Sequence, residues 1–291
     1  MHKYNRNYQV TIDLKGGGQV TLQRPFTIEF DIQRNTLSSA NVGSFRIYNL
    51  TPDTRSRIRH DQYDWGDHRK ITFHAGYDRN LAVAFTGYIR QAWSVREGNN
   101  FVTQIESFDG GLSFSTAQTA LTLPKNTTMA TVLTNIAKDL PGVELGAISS
   151  KFNDPIARGA TYNGSTVEIL NDLTGGSFFI DNGKVNFLLN NECINFGGKP
   201  IINAQSGLLG TPVRENTYIN LKMLFEPTIQ AGMIVNLQSL ALDGGFNGDH
   251  KVVSIAHRGT ISDAVCGDAT TSLGLFPGNF NPVYQKAAPG V

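Results

Sequence analysis

FTGYIRQAWSVREGNNFVTQIESFDG, residues 85–110, divides into two strand-like runs separated by the turn cluster REGNN. The same plan returns near the far end of the chain. FNGDHKVVSIAHRG (246–259) resembles residues 85–98: an aromatic, then x-Gly, then an alternating strand that ends in a turn. DATTSLGLFPG (268–278) resembles NFVTQIESFDG (100–110) in the same way. The pieces occur in one order in both places, the pattern an internal duplication leaves. Short β-hairpins also look alike from their period alone, so the repeat by itself does not establish duplication.

Working outward, the whole first third reads as antiparallel β. YQVTIDL, GGG and QVTL form a hairpin around a glycine turn. In PFTIEFDIQ, Phe26, Ile28, Phe30 and Ile32 alternate with Thr27, Glu29 and Asp31, giving one buried and one wet face. SFRIYNL, KITFHAGY and LAVAFTGYIRQAWSV continue the pattern. A short helix interrupts it: Thr51 suits the N-cap, Pro52 the first helical position and Asp53 the positive end of the dipole. This helix is expected to run through TRSRIRH, placing its Arg and His residues in the last turn.

The middle of the chain changes period. In NTTMATVLTNIAKDLPG, Met129, Val132, Leu133, Ile136, Ala137 and Leu140 share one helical face, and Pro141-Gly142 stops the helix. Ser165 and Glu168 make a capping box for a second helix that ends at Gly175-Gly176. SFFIDNGKVNFLL is then a hairpin about Asp181-Asn182-Gly183. The last third returns to strands in NTYINLKMLF, MIVNLQSL, HKVVSIAHRG and TTSLGLF. The tail from Pro277 has no period and reads as an extended or disordered arm.

Composition excludes several classes. The 291 residues allow two or three compact units, and 30 glycines with 17% charged residues lean toward β structure with tight turns. A net charge of +1 does not fit a dedicated nucleic-acid binder. The N-terminus lacks an apolar core of signal-peptide type, and no run is long enough for a membrane span. Cys193 and Cys266 are far apart, in no metal spacing, and are expected to be free thiols.

Two stretches carry residue types suited to chemistry. RHDQYDWGDHRK (59–70) holds His60, Asp61, Asp64, Asp67 and His68, all metal-ligand types. It lacks a His-x-x-x-His pair, a His-Glu-x-x-His motif and a closing Glu, so a helix end followed by a connector explains it better. GATYNGST (159–166) has the glycine spacing of a phosphate-binding loop, but Ser165 stands where the lysine belongs. No Gly-x-Ser-x-Gly elbow occurs, and His74, His250 and His257 sit singly in strand-like runs. No catalytic, cofactor-binding or metal site is assigned to any residue, and no cofactor is expected. The chain is expected not to be an enzyme.

Several of these stretches resemble baseplate hub proteins of contractile-tailed bacteriophages. FRIYNLTPDTRSRI, ITFHAGYD and FTGYIRQAWSVREGNNFVTQIESFDG resemble the first barrel of such proteins. SGLLGTPVRENTYINLKMLFEPTIQAGMIVNLQS and NGDHKVVSIAHRGTIS resemble the second, and PKNTTMATVLTNIAKDLPGV the insert between them; coverage is about residues 5–278. The resemblance implies a mainly β fold, with two tube-like antiparallel β-barrels and a small helix-containing α+β insert between them. The corresponding division is 1–115 for the first barrel, 116–199 for the insert, 200–278 for the second barrel and 279–291 for a C-terminal arm. It further implies a structural protein of the virion tail, assembled in the host cytoplasm. Three copies would form a pseudo-sixfold ring joining the hexameric tail tube to the central spike, with DNA passing through the lumen without specific binding. The implied partners are the tail tube protein, the spike and other baseplate proteins, with no membrane insertion. A tube initiator or terminator, a metal-dependent or glycan-cleaving tail enzyme and a carbohydrate-binding module are the alternatives.

Overall fold

The structure is a computed structural model, and it describes residues 3, 5–61, 63, 66–240, 246–265 and 267–284. The first third contributes strands β1 (Arg6–Asp13), β2 (Gln19–Gln23), β3 (Ile28–Asn35) and β4 (Asn41–Tyr48), helix α1 (Pro52–Ile58), and strands β5 (Lys70–Tyr77), β6 (Asn80–Glu97) and β7 (Asn100–Asp109). The middle contributes α2 (Gly111–Thr116), β8 (Gln118–Leu123), α3 (Met129–Ala137), β9 (Glu144–Ile148), β10 (Ala160–Ser165), α4 (Thr166–Thr174), β11 (Phe178–Asp181), β12 (Lys184–Phe187) and β13 (Glu192–Asn195). The last third adds β14 (Ile201–Ile202), β15 (Leu208–Glu215), β16 (Tyr218–Leu224), β17 (Ile234–Leu237), β18 (Gly248–Ile261), β19 (Ala269–Pro277) and β20 (Asn281–Tyr284).

The fold is mainly β, and its centre is one 13-stranded sheet. Its order is β15-β16-β19-β18-β3-β4-β7-β6-β5-β1-β2, with β17 paired to β18 and β14 to β17. One five-strand arrangement therefore occurs twice. β3-β4-β7-β6-β5 and β15-β16-β19-β18-β17 have the same connectivity, and the antiparallel pairing of β18 with β3 joins them.

Both central hairpins carry a β-bulge, and the bulges fix the correspondence. In β6 the register against β7 shifts between Ile89 and Gln91, and in β18 the register against β19 shifts between Val252 and Ser254. Superposing the bulges places Ala92 on Ile255, Trp93 on Ala256 and Val95 on Arg258. On the partner strands Ile105 falls on Leu273, as the sequence words had it. In β6 those words are two residues out of step. The slip preserves sidedness because the strand period is two.

Three hydrophobic clusters lie under this framework. The first gathers side chains of β1–β7, such as Ile12, Phe45, Phe73 and Ile105, with Phe225 and Ile261 from the last third. The second gathers Leu221, Val235, Ile255 and Leu273, with Ala147, Phe179 and Ile194 from the middle segment. The third holds the helical faces: Val132, Leu133 and Ile136 of α3 and Leu170 of α4 against Phe178 and Phe187. Thr128 and Ser165 cap α3 and α4 through Thr131 N–H and Glu168 N–H, and Gly175 ends α4 in the left-handed conformation. Asn182 (φ 50°) and Gly183 (φ 73°) form the tight turn between β11 and β12.

Four expectations need correction. Helix α1 ends at Ile58, so His60 lies beyond it in a bridge to Ala92 of β6. Regular helix α3 ends at Ala137; the Leu140 N–H reaches back to Ala137 C=O, a tighter three-residue step that turns buried Leu140 inward before Pro141. The tail is not without structure: β20 runs parallel to β13, pairing Pro282 with Cys193 and Val283 with Ile194. Residues 285–291 of the expected arm lie outside the described residues. Finally, β15 is a strand where none was read, because Pro212 and Gly210 interrupt its period.

Candidate functional site

The duplicated strands present one shared face opposite the cores. Along β3 it carries Glu29, Asp31 and Gln33, and along β4 Ser44, Arg46 and Tyr48. The register continues it through Gln104 and Glu106 of β7 and Gln91, Trp93 and Val95 of β6. In the second copy it runs through Arg258, Ala256 and Ser254 of β18, Ser272 and Gly274 of β19, Lys222 and Asn220 of β16, and Val213 and Glu215 of β15. The two halves are one surface, because Arg258 pairs with Asp31 and Ala256 with Gln33 across the β18–β3 junction. The surface is concave there: a cavity of about 640 Å³ is lined by Gln33, Val213, Lys222, Ala256, Arg258 and Ser272, among others.

Charge on this face is balanced in cross-strand pairs. Arg46 Nε lies 3.3 Å from Glu29 and its Nη2 2.6 Å from Glu97. Arg258 Nε lies 2.9 Å from Asp31, and Arg90 Nη1 3.6 Å from Glu106. Tyr48 donates its hydroxyl hydrogen bond to Glu29 at 2.8 Å. With Glu215 and Lys222, the face carries five acids and four bases. It is hydrophilic and close to neutral.

Edges are the second feature of the surface. Ala92 exchanges both backbone hydrogen bonds with His60, each 2.9 Å. Even-numbered residues of β6 therefore aim their backbone groups at the edge away from β7. Beyond Ala92, Ser94 and Arg96 aim at the same edge, and among the described residues no strand pairs with it there. At the other end of the sheet, β15 is paired only with β16 among the described residues. Among the described residues, four large apolar side chains of β15 and β16 stand exposed: Leu209, Val213 (62% exposed), Tyr218 and Leu224.

The loop that carries the metal-ligand types has a structural task. Arg69 is buried, and its guanidinium donates to the carbonyls of Arg57, Ile58 and Arg59 at 2.7–3.0 Å, closing the C-terminus of α1. Asp67 sits 3.2 Å from Arg69 Nε and 3.8 Å from His60 Nδ1. Asp64 lies outside the described residues; among those described, no three His, Cys, Asp or Glu side chains converge as metal ligands. Sequence reading missed Arg69, whose role depends on the fold returning β5 beside α1.

The remaining candidates are also placed. Residues 160–165 of the glycine-rich stretch form β10, and Ser165 caps α4. The triplet Gly-Asp-His occurs twice, at 66–68 and 248–250, and falls at non-equivalent places: Asp67 and His68 precede β5, whereas Asp249 and His250 are already within β18, the counterpart of β6. His250 Nε2 contacts Phe246 C=O at 2.8 Å. His257 is fully buried, 2.9 Å from Thr271 Oγ1 and edge-on to Phe225, and burial pushes its pKa down to about 3. Cys193 is a buried free thiol, whereas Cys266 lies outside the described residues. No helix among the described residues is long and apolar enough to cross a membrane.

Against this geometry the comparisons with known proteins are consistent. The tail protein from Neisseria meningitidis MC58 superposes with a TM-score of 0.59 at 11% identity, covering 94% of this chain and 97% of that one. The 43 kDa tail protein of prophage MuSo2 from Shewanella oneidensis gives 0.57 at 9% identity, covering 92% and 98%. The E. coli c3393 protein gives 0.60 at 9% identity, covering 95% and 79%. That protein is described as a type VI secretion component with structural similarity to the T4 bacteriophage tail proteins gp27 and gp5. At these identities the likeness shows the fold alone. No curated protein sequence matches the chain. A sequence profile for the family described as Baseplate hub gp41 matches residues 8–260, most of the chain, and the protein therefore belongs to the Baseplate hub gp41 family of phage tail structural proteins.

Proposed function

We propose that three copies of this chain form a ring with pseudo-sixfold symmetry. The ring joins the tail tube to the central spike and surrounds the path of the DNA. The observation that carries this reading is the doubled strand arrangement within a single sheet. A sixfold tube meeting a threefold spike requires an adaptor that offers six similar units from three chains, and two similar units per chain meet that requirement. Each chain supplies eight strands to the shared face (β15, β16, β19, β18, β3, β4, β7 and β6), so three chains supply twenty-four.

The concave polar face is the surface that would line the channel. Pairing of its acids with its bases leaves little net field to hold a polyanion, so DNA would pass without being retained. The role is architectural rather than enzymatic, and it places the chain in the virion tail after assembly in the host cytoplasm. Residues 1–115 and 200–278 serve as the two tube-like units and 116–199 as the insert.

Light scattering with negative-stain imaging of the purified protein, alone and co-expressed with its spike, tests the proposal. A ring of three chains is expected. A protein that stays monomeric in both conditions would overturn it, and a ring of six would favour a tube initiator or terminator.

A further inference from the structure

The two open edges of the sheet match each other, and the match can be read from inside the chain. Within one copy, the second unit meets the first through β18 and β3, with Ser254–Ile261 running antiparallel to Ile28–Asn35. The bulge-based correspondence maps the β18 segment onto residues 91–98 of β6. The chain of registers β3–β4–β7 and β15–β16–β19 maps Asp31, Ile32 and Gln33 onto Val213, Arg214 and Glu215. The outer edge of β6 is thus the first unit's copy of the β18 edge, and the outer edge of β15 is the second unit's copy of the β3 edge. In the monomer one such pair is made and the other is open at both ends.

We infer that β15 of one copy adds to the outer edge of β6 in the next copy, with Val95 opposite Val213 and Ser94 opposite Arg214. This assignment rests on the ring reading above and specifies its contact. A head-to-tail contact of this kind closes a ring when its rotation closes, and an internal contact of the same type already sets that rotation.

Backbone direction agrees at both edges. Ser94 follows Ala92 in pointing its N–H and C=O away from β7. On the other edge, the Leu224 N–H donates to Gly207 C=O at 2.8 Å, so even-numbered residues of β16 face β15. Their partners Val213 and Glu215 face back, and Arg214 faces outward. Ser94 and Arg214 therefore exchange two hydrogen bonds. Pro212 has no N–H to offer and only accepts, from Arg96, as a proline on an edge strand can.

Side chains agree as well. Arg258 and Asp31 hold the internal junction as an ion pair at 2.9 Å. Their counterparts are both valines, and Val213 is 62% exposed on an edge that otherwise invites unspecific pairing. An exposed Val213 and a half-buried Val95 on two matching edges are accounted for if the edges cover each other.

Val95 and Val213 form a pair without mutual backbone bonds, the closer kind of antiparallel pair and the one a disulfide can span. The test is a Val95→Cys, Val213→Cys double variant in a background with Cys193 and Cys266 replaced by serine, oxidised in air with copper phenanthroline. On non-reducing gels the expected result is a ladder of one, two and three chains that stops at three, absent from each single variant. Cross-linking of a Val95→Cys, Thr211→Cys control in place of the 95–213 pair would overturn the register. Light scattering on the same samples separates the two levels of the argument. A trimer that does not cross-link at 95–213 overturns this edge assignment and leaves the ring, whereas a protein that neither trimerises nor cross-links overturns both. A charge-swap series adds an independent reading: Val213→Asp alone should weaken trimer association at least about tenfold. Adding Val95→Arg should restore it by copying the Arg258–Asp31 pair, and a double variant no better than the single would count against the contact.

Discussion

Arg34 of β3 and Asp181 of β11 are joined by a buried two-pronged ion pair, Nε to Oδ1 at 2.7 Å and Nη2 to Oδ2 at 2.5 Å. It fastens the insert's hairpin to the first unit. Asn41 reinforces it by donating to Ile180 C=O, and Thr86 N–H donates to Asn182 Oδ1. Burial opposes the guanidinium charge, but Asp181 more than offsets it, so Arg34 holds its proton more tightly than usual. A buried pair adds little over an apolar pair of the same shape, yet losing one member strands a charge in a dry site. Arg34→Met is expected to cost about 3–5 kcal/mol in urea unfolding. The Arg34→Met, Asp181→Leu double variant should recover at least half of that loss. A double variant as unstable as the single would show that the pair itself, and not the stranded charge, sets the stability.

Asp109 stands beside this pair and accepts a hydrogen bond from Gly183 N–H at 3.0 Å. Burial, then the neighbouring Asp181 carboxylate, push its pKa from 3.8 up to about 7. Between those values the folded protein holds a proton that the unfolded chain has released, so stability falls as pH rises across the window and the loss is complete above about 7. Asp109→Asn keeps the acceptor and removes the titration. Its thermal midpoint should exceed that of the parent at pH 8 and match it near pH 4. His257 works in the opposite sense: it stays neutral when folded, so stability falls as acidification protonates the unfolded imidazole below 6.5. The Asn variant should therefore lose stability more steeply on acidification than the parent. Parallel pH profiles for the two proteins would contradict this account.

Arg69 explains why the most metal-like stretch of the chain folds as it does. Its guanidinium serves three carbonyls at the end of α1 that the helix itself leaves without partners, sharing that of Arg57 with Lys15 N–H. Arg69→Ala is expected to cost about 2–3 kcal/mol, and Arg69→Lys most of that, since an ammonium cannot span the three acceptors in one plane. Elemental analysis of the purified protein should find no stoichiometric metal. Stoichiometric zinc lost in a His60→Ala, His68→Ala variant would reverse the reading of this loop.

How much of this was legible in the sequence depends on whether the cause was local. Strand period exposed β3, β4, β5 and β7, helical period exposed α3, and cap chemistry at Thr51 and Ser165 located two helix starts, because those signals act within a few residues. The aromatic-x-Gly word was visible, but its reasons were not. A Cβ on Gly87 or Gly43 would lie 2.8 Å from the Phe85 ring, while Gly248, its sequence twin, faces open space. A shared word with two different causes is how the alignment came to slip by two residues. The bulges at Arg90 and Val253 that set the true register leave no mark on composition. Strand β15 was hidden because it has one strand partner among the described residues and a proline, itself buried, within its short run. The functional edge was the hardest to read for the same physical reason that makes it an edge.

The near-neutral concave face gives a last expectation, tied to the channel. Glu106 and Glu215 are two of its five acids; changing both to lysine leaves three acids and six bases per chain, a shift of four charges repeated three times around a ring. Phosphate contacts by added lysines release counterions, so binding should appear and should fall steeply with salt. The assembled parent is expected not to retain double-stranded DNA in a gel-shift assay at about 50 mM salt, a concentration that leaves such contacts weakly screened. The Glu106→Lys, Glu215→Lys variant should retain it there and release it by about 200 mM. Glu215 is exposed and Glu106 half-buried in a surface ion pair, positions where surface charge contributes little to stability, so the fold should survive, as unfolding curves can verify. A parent ring that binds DNA as tightly as the variant, or a well-folded variant ring that binds none, would show that this face does not line the channel.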